Sequence, residues 1–518
     1  MLINNLIRMY ARYIISFIFL CFGWTNGYAQ RVIMGAEQPD GYRAKLQLFA
    51  PFPGDSRNID YKTLTVNGEP VQLAHMNDAG YGSFAFDGKP VHITLTTWEP
   101  IRNYNISPHS FNIQSRKSAH QLSFRLYEPR KLIIQVNDLS PLFLFAEIIE
   151  NQPVDTNSNV LNMLDFMVDP GGEAVCTDQI QHAIDSTAGL NDHQGGILFF
   201  PAGKYLTGHL KMRDNVTLYL QAGALIQGTK NEEDYIEFPG VSRHLILFDK
   251  VRNASIRGRG AIDAAGTDLR TLYGIRHRVL LIQNCQHILI EGISLRNSGS
   301  WNTQIVNSDH INFNNVKILN DVNLGNTDGI DPDSSSDLIV DNCFIYAGDD
   351  AVVIKQTRSE NIPYSERIRV EKCVIWTRKS ALKIGTETRG DVFRNIIFEN
   401  NDIVHADRGM AIYLDDGALV ENIQFINNRF EHIGGDRNQM LIHMVISEGT
   451  GQGRIRDVLI KDNHAHEFSP NHSQIMGLDE NHRISDLTIQ NLIIKDTIRK
   501  NLRDARIEVN HFVEYEFK

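Results

Sequence analysis

The stretches "HILIEGISLRN" (residues 287–297), "HINFNNVKILN" (310–320) and "DLIVDNCFIYA" (337–347) are three copies of one pattern. In each copy a polar residue precedes an aliphatic residue, and apolar and polar residues then alternate. Alternation with a period of two is typical of β-strands, because successive side chains point to opposite faces of a sheet. The chain therefore repeats one strand-rich unit.

The repeat extends far beyond these three copies. Its leading aliphatic residues are separated by 23 to 35 residues, and they are Ile288, Ile311, Leu338, Ile368, Ile396, Ile423, Val458 and Leu487. Strand-rich repeats of this length are typical of solenoids, whereas propeller blades of roughly 40 residues are longer. The sequence predicts an all-β protein in which residues 161–518 form a right-handed parallel β-helix, with Ile311, Leu338, Ile368 and Ile396 in one inward stack.

The residues before the repeats have a different pattern. Residues 30–160 contain short alternating runs such as "KPVHITLTTW" (89–98) and "QLSFRLYE" (121–128), separated by Pro and Gly clusters. This is typical of an antiparallel β-sandwich, and we find no catalytic cluster in it. After it, "TDQIQHAID" (177–185) predicts a helix with Thr177 as its N-cap.

The N-terminus has the features of an export signal. Arg8 and Arg12 precede the apolar run Tyr13–Trp24, and small residues at 27–29 predict cleavage before Gln30. We therefore expect residues 1–29 to be a signal peptide and the mature protein to be periplasmic or extracellular. No other stretch approaches the roughly 18 to 20 apolar residues of a membrane span.

Charge and cysteine usage exclude some classes of function. The net charge of −11 and the pI near 5.9 argue against a nucleic-acid partner, which requires a basic face. The four cysteines after the signal region have no zinc-type spacing, and we expect buried thiols: Cys176, Cys285, Cys343 and Cys373. The oligomeric state is left open.

Aspartates cluster in "NTDGIDPDSSSDLIVDNCFIYAGDD" (326–350). Asp328 and the pair Asp349 and Asp350 are about one repeat apart, so a solenoid would place them on neighbouring coils, with strands roughly 4.8 Å apart. Crowded carboxylates raise the pKa of at least one member, which gives the acid and base that glycoside hydrolysis needs. Ordinary turns or a bound cation are the alternatives.

The same stretch resembles the central motifs of glycoside hydrolase family 28, the polygalacturonases and relatives with a pectin lyase-like β-helix. In that family Asn-Thr-Asp precedes Gly/Gln-Asp-Asp, and "GGILFFPAGKYLTG" (195–208) and "NVTLYLQAGALIQG" (215–228) resemble its first coils. The resemblance covers roughly residues 165–495. It implies a hydrolase of α-glycosidic bonds in polysaccharides or their oligosaccharides, with no metal or organic cofactor.

The resemblance also implies roles for individual residues. Asp349 would be the general acid, and Asp328 and Asp350 would activate water on the opposite face of the sugar, which gives inversion. The acid and base of an inverting enzyme are expected roughly 6.5 to 9.5 Å apart. Asn326 would orient a carboxylate or a sugar hydroxyl.

Two family features are missing from the sequence. Ser380 in "KSALKIGTE" (379–387) stands where the family has the histidine of Gly-His-Gly, and Ala411 and Tyr413 replace the Arg and Lys of Arg-Ile-Lys. A galacturonate carboxylate would lose its charge-assisted anchor without that pair. Lys383 and Arg408 are the candidates to replace it.

A neutral substrate is the alternative, because a β-sandwich ahead of a β-helix also resembles the dextranase and isopullulanase family. Further candidate contacts with the sugar are Lys355, an aromatic platform at Trp301, and Tyr413. His405 and His443 are interpreted as structural or surface groups. A polysaccharide lyase, which would need calcium and a Lys or Arg base, and a non-catalytic carbohydrate-binding β-helix are the other functions considered.

Overall fold

The structure is a computed structural model, which describes residues 31–34, 44–150, 159–235, 243–360, 362–435, 438–451 and 453–518. The proposed signal peptide and cleavage site lie outside the described residues. The chain folds into two sheets that face each other, followed by a right-handed parallel β-helix. No helix in the described part of the chain has the length and hydropathy needed to cross a lipid bilayer.

The N-terminal part is a sandwich of a seven-stranded and a five-stranded sheet. Strands are numbered in chain order. The seven-stranded sheet contains, in spatial order, β1 (Arg31–Met34), β2 (Lys45–Leu48), β6 (Ala79–Phe86), β12 (Leu142–Ile148), β11 (Arg130–Val136) and β8 (Tyr104–Ser107), with β5 (Leu73–Met76) also paired to β6. The five-stranded sheet contains β4 (Glu69–Val71), β3 (Tyr61–Val66), β7 (Val91–Thr97), β10 (Gln121–Leu126) and β9 (Ser115–Lys117).

The sequence-based prediction of an antiparallel sandwich is wrong for one pair of strands. β6 and β12 are parallel, with Leu142 opposite Gly80 and Ile148 opposite Phe86. Between these two strands the chain passes through the other sheet as β7, β9 and β10, and it returns in the original direction. Alternating polarity reports which side chains are buried but not the direction of the neighbouring strand, so the pattern could not reveal this pair.

The β-helix consists of three sheets, whose strands are parallel apart from the last strand of the second sheet, and most coils contribute one strand to each. The first sheet contains β13 (Val160–Asn162), β14 (Gly196–Phe200), β17 (Val216–Leu220), β20 (Arg252–Gly258), β23 (Gln286–Glu291), β26 (Asp309–Asn314), β29 (Ser336–Asp341), β32 (Tyr364–Glu371), β35 (Val392–Glu399), β38 (Leu419–Ile426), β41 (Arg454–Lys461), β44 (Ile484–Gln490) and β48 (Val513–Phe517).

The second and third sheets follow the same coil order. The second contains β15 (Gly203–Thr207), β18 (Ala224–Gly228), β21 (Ala261–Asp263), β24 (Ser294–Arg296), β27 (Lys317–Leu319), β30 (Phe344–Ala347), β33 (Val374–Thr377), β36 (Asp402–His405), β39 (Arg429–Phe430), β42 (His464–Ala465), β45 (Ile493–Ile494) and β46 (Thr497–Ile498). The third contains β16 (Leu210–Lys211), β19 (Arg243–Asp249), β22 (His277–Gln283), β25 (Thr303–Val306), β28 (Ile330–Asp333), β31 (Val352–Gln356), β34 (Ser380–Thr388), β37 (Arg408–Asp416), β40 (Met440–Gly451), β43 (Ser473–Met476) and β47 (Ile507–Val509).

The predicted inward stack is confirmed. Ile311 pairs with Leu338, Leu338 with Ile368, and Ile368 with Ile396 in the first sheet. Each of these side chains is at most 1% exposed. The prediction of buried thiols is also confirmed, because all four described cysteines are buried and free.

The helices lie at the margins of the solenoid. They are α1 (Thr177–Ala188), α2 (Leu190–His193), α3 (Gly266–Tyr273) and α4 (Leu502–Ala505). The predicted N-cap of α1 is wrong, because Cys176 occupies that position and Thr177 is already helical. Thr177 Oγ1 instead accepts a hydrogen bond from Gly208 N at 2.7 Å, so its hydroxyl fastens the helix to the coil beneath it.

The sandwich packs against the second sheet of the β-helix. Phe143 and Phe145 of β12 contact Phe344 of β30, with ring centroids 5.0 and 5.1 Å apart. Beside this apolar cluster, the buried Glu147 forms an ion pair with Lys317 at 2.6 Å. The third sheet, which carries the clustered aspartates, has no residue in this apolar contact.

Candidate active site

The candidate residues lie at the starts of consecutive strands of the third sheet. Asp328 comes just before β28, Asp349 and Asp350 just before β31, and Ser380 begins β34. Gly329 N donates to Asp350 O at 2.9 Å, and Ala351 N donates to Ser380 O at 2.8 Å. These backbone bonds place three coils in register, so side chains from distant parts of the repeat meet at one edge of the sheet.

Three carboxylates converge as the coil spacing predicts. One oxygen from each of Asp328, Asp349 and Asp350 lies within 4.8 Å of the other two. These oxygens are close enough for one cation to bridge them. The expected separation of roughly 6.5 to 9.5 Å between acid and base is wrong for the nearest oxygens, because the three residues stand on adjacent coils of one sheet.

Asp350 is surrounded by donors. Its carboxylate accepts from Ser380 N at 2.8 Å and from Lys383 Nζ at 2.7 Å, and Arg408 Nη2 lies 3.9 Å away. Burial alone would raise the pKa of Asp350, but Lys383, Arg408 and Lys355 together hold that pKa below its ordinary value. Asp350 is therefore ionised.

Ser380 takes a role different from that of the histidine it replaces. Its Oγ accepts a hydrogen bond from Arg408 Nε at 2.9 Å, and its backbone N–H binds Asp350. The serine is fully buried. It therefore fixes the guanidinium beside Asp350.

Asp349 lies in a different environment from its neighbour. It is only half-buried, and it accepts from Asn326 N at 2.9 Å and from Asp350 N at 3.0 Å. Burial and the adjacent charge of Asp350 raise the pKa of Asp349 above its ordinary value. Asn326 acts here through its backbone N–H and not through its side chain.

A second group of charges surrounds Lys355, which is only 5% exposed. Its Nζ lies 3.6 Å from Asp328, 3.5 Å from Asp331 and 3.4 Å from Glu387. Burial and the neighbouring Asp331 raise the pKa of Asp328, and burial raises the pKa of Asp331 to about 8. The two buried aspartates share one ammonium group, so they favour holding one proton between them.

Sequence reasoning missed two members of this group. Asp331 belongs to the quoted aspartate stretch, and its position three residues after Asp328 was the available signal. Glu387 follows Lys383 by four residues in β34. A single glutamate in a repeat is usually a solvent-exposed residue, so the sequence gave no signal that Glu387 belongs to the site. Both reach Lys355 only because the coils are stacked.

Aromatic residues flank the carboxylates on both sides. Lys355 Nζ lies 3.8 Å from the centre of the Trp301 ring. The Lys355 ammonium group therefore covers part of the ring that the sequence predicted to stack on a sugar. On a later coil, Tyr413 lies below Lys383, with Nζ 5.0 Å from the ring centre. The Tyr413 hydroxyl and His443 Nδ1 are 2.6 Å apart, so His443, which was interpreted from the sequence as a structural or surface group, borders the site.

The three converging carboxylates thus lie on a right-handed parallel β-helix. The sequence profile described as "Glycosyl hydrolases family 28" matches residues 197–500, and the chain belongs to this family. The sequence is 24% identical over 294 residues to a probable polygalacturonase from Vitis vinifera, covering 51% of this chain and 59% of the relative. It is 26% identical over 247 residues to an exopolygalacturonase from Cochliobolus carbonum, covering 44% and 53%.

The chain thus spans little more than half the length of these curated relatives. Solved structures share the fold. An exopolygalacturonase from Thermotoga maritima superposes with a TM-score of 0.58 at 23% identity, covering 71% of this chain and 92% of the other. A polygalacturonase from Erwinia carotovora ssp. carotovora gives a TM-score of 0.54 at 18% identity, covering 72% and 98%.

Proposed function

We propose that this protein hydrolyses α-glycosidic bonds in a galacturonate-containing polysaccharide or its oligosaccharides. In this proposal Asp349 protonates the leaving oxygen, Asp328 and Asp350 hold the attacking water, and the ionised Asp350 accepts its proton. The observation that carries the proposal is that two adjacent carboxyl groups have opposite environments. Asp350 is held ionised by Lys383, while burial and Asp350 raise the pKa of Asp349.

Opposite shifts of neighbouring carboxyl groups are what acid/base chemistry requires. A general acid must keep its proton near the working pH, and the base must have lost its own. Asp349 is also the more exposed of the pair, so it can reach the leaving oxygen of a bound chain. Asp350 is buried and anchored, which suits a group that holds water in a fixed position.

The proposed inversion rests on the family pattern of Asn-Thr-Asp followed by Gly-Asp-Asp, because the close spacing of the carboxylates does not support it. We propose that water sits between Asp328 and Asp350 on the face of the sugar opposite Asp349. The anomer first formed should then have the inverted configuration. NMR of the reaction during its first minutes tests this, and a retained anomer would exclude the proposed roles.

The proposal that the sugar is galacturonate rests on the names of the relatives and on the charged residues of the site. Lys383 and Arg408 converge on Asp350 and lie over the Tyr413 ring; Arg408 is on the coil where the expected Arg and Lys are missing, and Lys383 is on the coil before it. We propose that they also attract the carboxylate of a uronic acid. A polymeric substrate requires the enzyme to be outside the cytoplasm, which agrees with the proposed signal peptide and a periplasmic or extracellular location.

A screen for reducing ends on several polysaccharides tests the proposal. The purified protein should release reducing ends from polygalacturonate and should leave dextran and pullulan intact. Activity should survive EDTA, since the proposed chemistry uses no metal, whereas a calcium-dependent lyase would lose activity and form an unsaturated product. Cleavage of dextran instead would establish the dextranase-like alternative, and binding without turnover would establish a carbohydrate-binding β-helix.

A further inference from the structure

A groove on the sandwich is separate from the candidate active site. It encloses about 410 Å³, and its lining comes from β7, β9, β10 and the connections 111–114 and 127–130. This volume lies within the range usual for small-ligand sites, which is roughly 300 to 1,000 Å³. None of its lining residues belongs to the β-helix, so the groove cannot take part directly in the chemistry of the third sheet.

The outer face of the five-stranded sheet supplies the floor of this groove. Inward-facing residues such as Ile93 and Phe124 are buried, so their neighbours along the strands face solvent. Arg125 stands opposite His92, and Arg116 stands opposite Ser123. Arg116 and Arg125 are therefore diagonal neighbours on one face, with Cβ atoms roughly 7 to 8 Å apart.

These two arginines have no acidic partner in the part of the chain that the structure describes. Both are exposed, and neither forms an ion pair within 4.0 Å among the described residues, whereas the third lining arginine, Arg130, is paired with Glu128. Residues 44–150 carry ten Lys or Arg and ten Asp or Glu, so this part is neutral in a chain of net charge −11. The groove is thus a local concentration of positive charge on an acidic protein.

Aromatic side chains line the groove beside these arginines. Tyr127 lines the groove and is 66% exposed, so its ring is accessible to a ligand. Phe111 lies beneath the Arg130 guanidinium, with Cζ 4.1 Å from the ring centre. Exposed rings stack on sugar faces, and arginines bind carboxylates through charge-assisted hydrogen bonds.

We propose that this groove is a second, non-catalytic binding site for an acidic polysaccharide. Arg116 and Arg125 would bind carboxylates of the chain, and Tyr127 would stack on a sugar ring. The identity of the polymer as polygalacturonate rests on the proposed function. Holding the polymer on the sandwich raises its effective concentration at the candidate active site, so this second site would favour the cleavage of long substrates and not of short ones.

Binding and kinetics with the full-length chain test this site. The double variant Arg116→Ala/Arg125→Ala should bind polygalacturonate at least about ten times more weakly by calorimetry in an Asp349→Asn background, which slows cleavage. In the active protein, kcat/KM should fall on the polymer and stay unchanged on trigalacturonate. Arg57→Ala, which removes an exposed arginine outside the groove, is the matched control. Tyr127→Ala should weaken binding without changing charge.

The outcomes separate this site from the proposed function. Undiminished polygalacturonate affinity in the double variant and in Tyr127→Ala would overturn the second site, whatever the protein cleaves. Equal binding of dextran would overturn its assignment to acidic chains. If the protein does not cleave polygalacturonate but binds it through these arginines, the proposed function fails and the second site stands. Binding should also weaken as salt rises, because exposed charges are screened.

Discussion

The ammonium group of Lys383 lies 2.7 Å from Asp350, and Asp350 is covalently adjacent to Asp349. This one cation lowers the pKa of both carboxyl groups, although burial and Asp350 still raise the pKa of Asp349 overall. The proposed activity needs Asp350 ionised and Asp349 protonated. Active enzyme therefore exists only between the two pKa values, which predicts a bell-shaped pH profile.

Lys383→Met should move both limbs of that profile to higher pH. Without the cation, Asp350 loses its proton only at a higher pH, so the acidic limb rises. Asp349 also keeps its proton to a higher pH, so the alkaline limb rises in the same direction. Measurement of kcat/KM against pH checks this.

Lys379→Met is the control for the change of charge, because Lys379 lies on the same coil but pairs with Asp407. Its profile should match that of the unmodified protein. Unmoved limbs in Lys383→Met would show that Lys383 does not set the protonation of the pair.

The sequence predicted part of this site because part of it is local. Asp349 and Asp350 are adjacent, and Asp328 is about one repeat away, so the coil spacing was sufficient to bring them together. Glu387 and His443 were missed, because their contacts depend on which side chains of later coils point toward the same edge. Spacing locates a coil, but it does not give the length and direction of a side chain.

Strand β29 shows why the repeat could be recognised in the sequence. Leu338 is 0% exposed and lies in the inward stack, while the next residue, Ile339, is 42% exposed on the outer face. Both are aliphatic, so composition alone could not distinguish them. The alignment of Leu338 with Ile311 and Ile368 in successive copies does.

Leu338→Ala should destabilise the protein by about 2 to 5 kcal/mol, because it removes a buried side chain and leaves a cavity between two coils. Ile339→Ala on the same strand should change the free energy of unfolding by roughly 0.5 kcal/mol or less, as is usual for exposed positions. Denaturant unfolding of the two variants gives the comparison. Equal losses would show that the inward register is misassigned.

The sequence predicted strands of the sandwich, but it did not predict how all of them pair. Its alternating runs correspond to β7, β10 and β11, but the parallel pairing of β6 and β12 depends on a crossover between two sheets. The cysteines show a similar division. Their burial was predicted from the sequence, but the hydrogen bond that Cys373 N donates to Asn401 Oδ1 on the next coil, at 3.0 Å, was not.

The whole molecule depends on the contact between sandwich and β-helix, and Glu431 lies in that contact. It accepts from Ser107 Oγ at 2.6 Å and from His109 N at 2.5 Å. Burial raises the pKa of Glu431 to about 7, and the charge of Asp402 adds to this shift. The carboxyl group is therefore protonated in the folded protein at a pH where it is ionised in the unfolded chain.

Glu431 should contribute a loss of stability as pH rises from about 4.5 to 7. A folded-state pKa above the unfolded value means that the native state binds more protons in this range, so unfolding becomes easier as protons are removed. The shift from 4.5 to about 7 corresponds to about 3 kcal/mol. His109, whose pKa is lowered by burial, opposes this trend, so the comparison must be between variants.

Glu431→Gln cannot ionise; its amide oxygen can accept from His109 N, and its NH₂ group can donate to Ser107 Oγ, so both contacts can be retained. Its stability relative to the unmodified protein should rise by as much as about 3 kcal/mol between pH 4.5 and pH 8. Glu480→Gln, at an exposed position, should show a constant difference over the same range. A constant difference for Glu431→Gln as well would contradict the assigned pKa. Thermal or denaturant unfolding at several pH values measures both.

The central claim is that Asp349 supplies the proton to the leaving oxygen. Asp349→Asn keeps the shape of the side chain but cannot donate that proton. Turnover of polygalacturonate should fall by roughly 10² to 10⁴, the usual contribution of general acid catalysis, while a substrate with an activated leaving group should be much less impaired. Near-normal turnover of polygalacturonate by Asp349→Asn, in a variant that folds normally, would contradict the account and place the acid elsewhere.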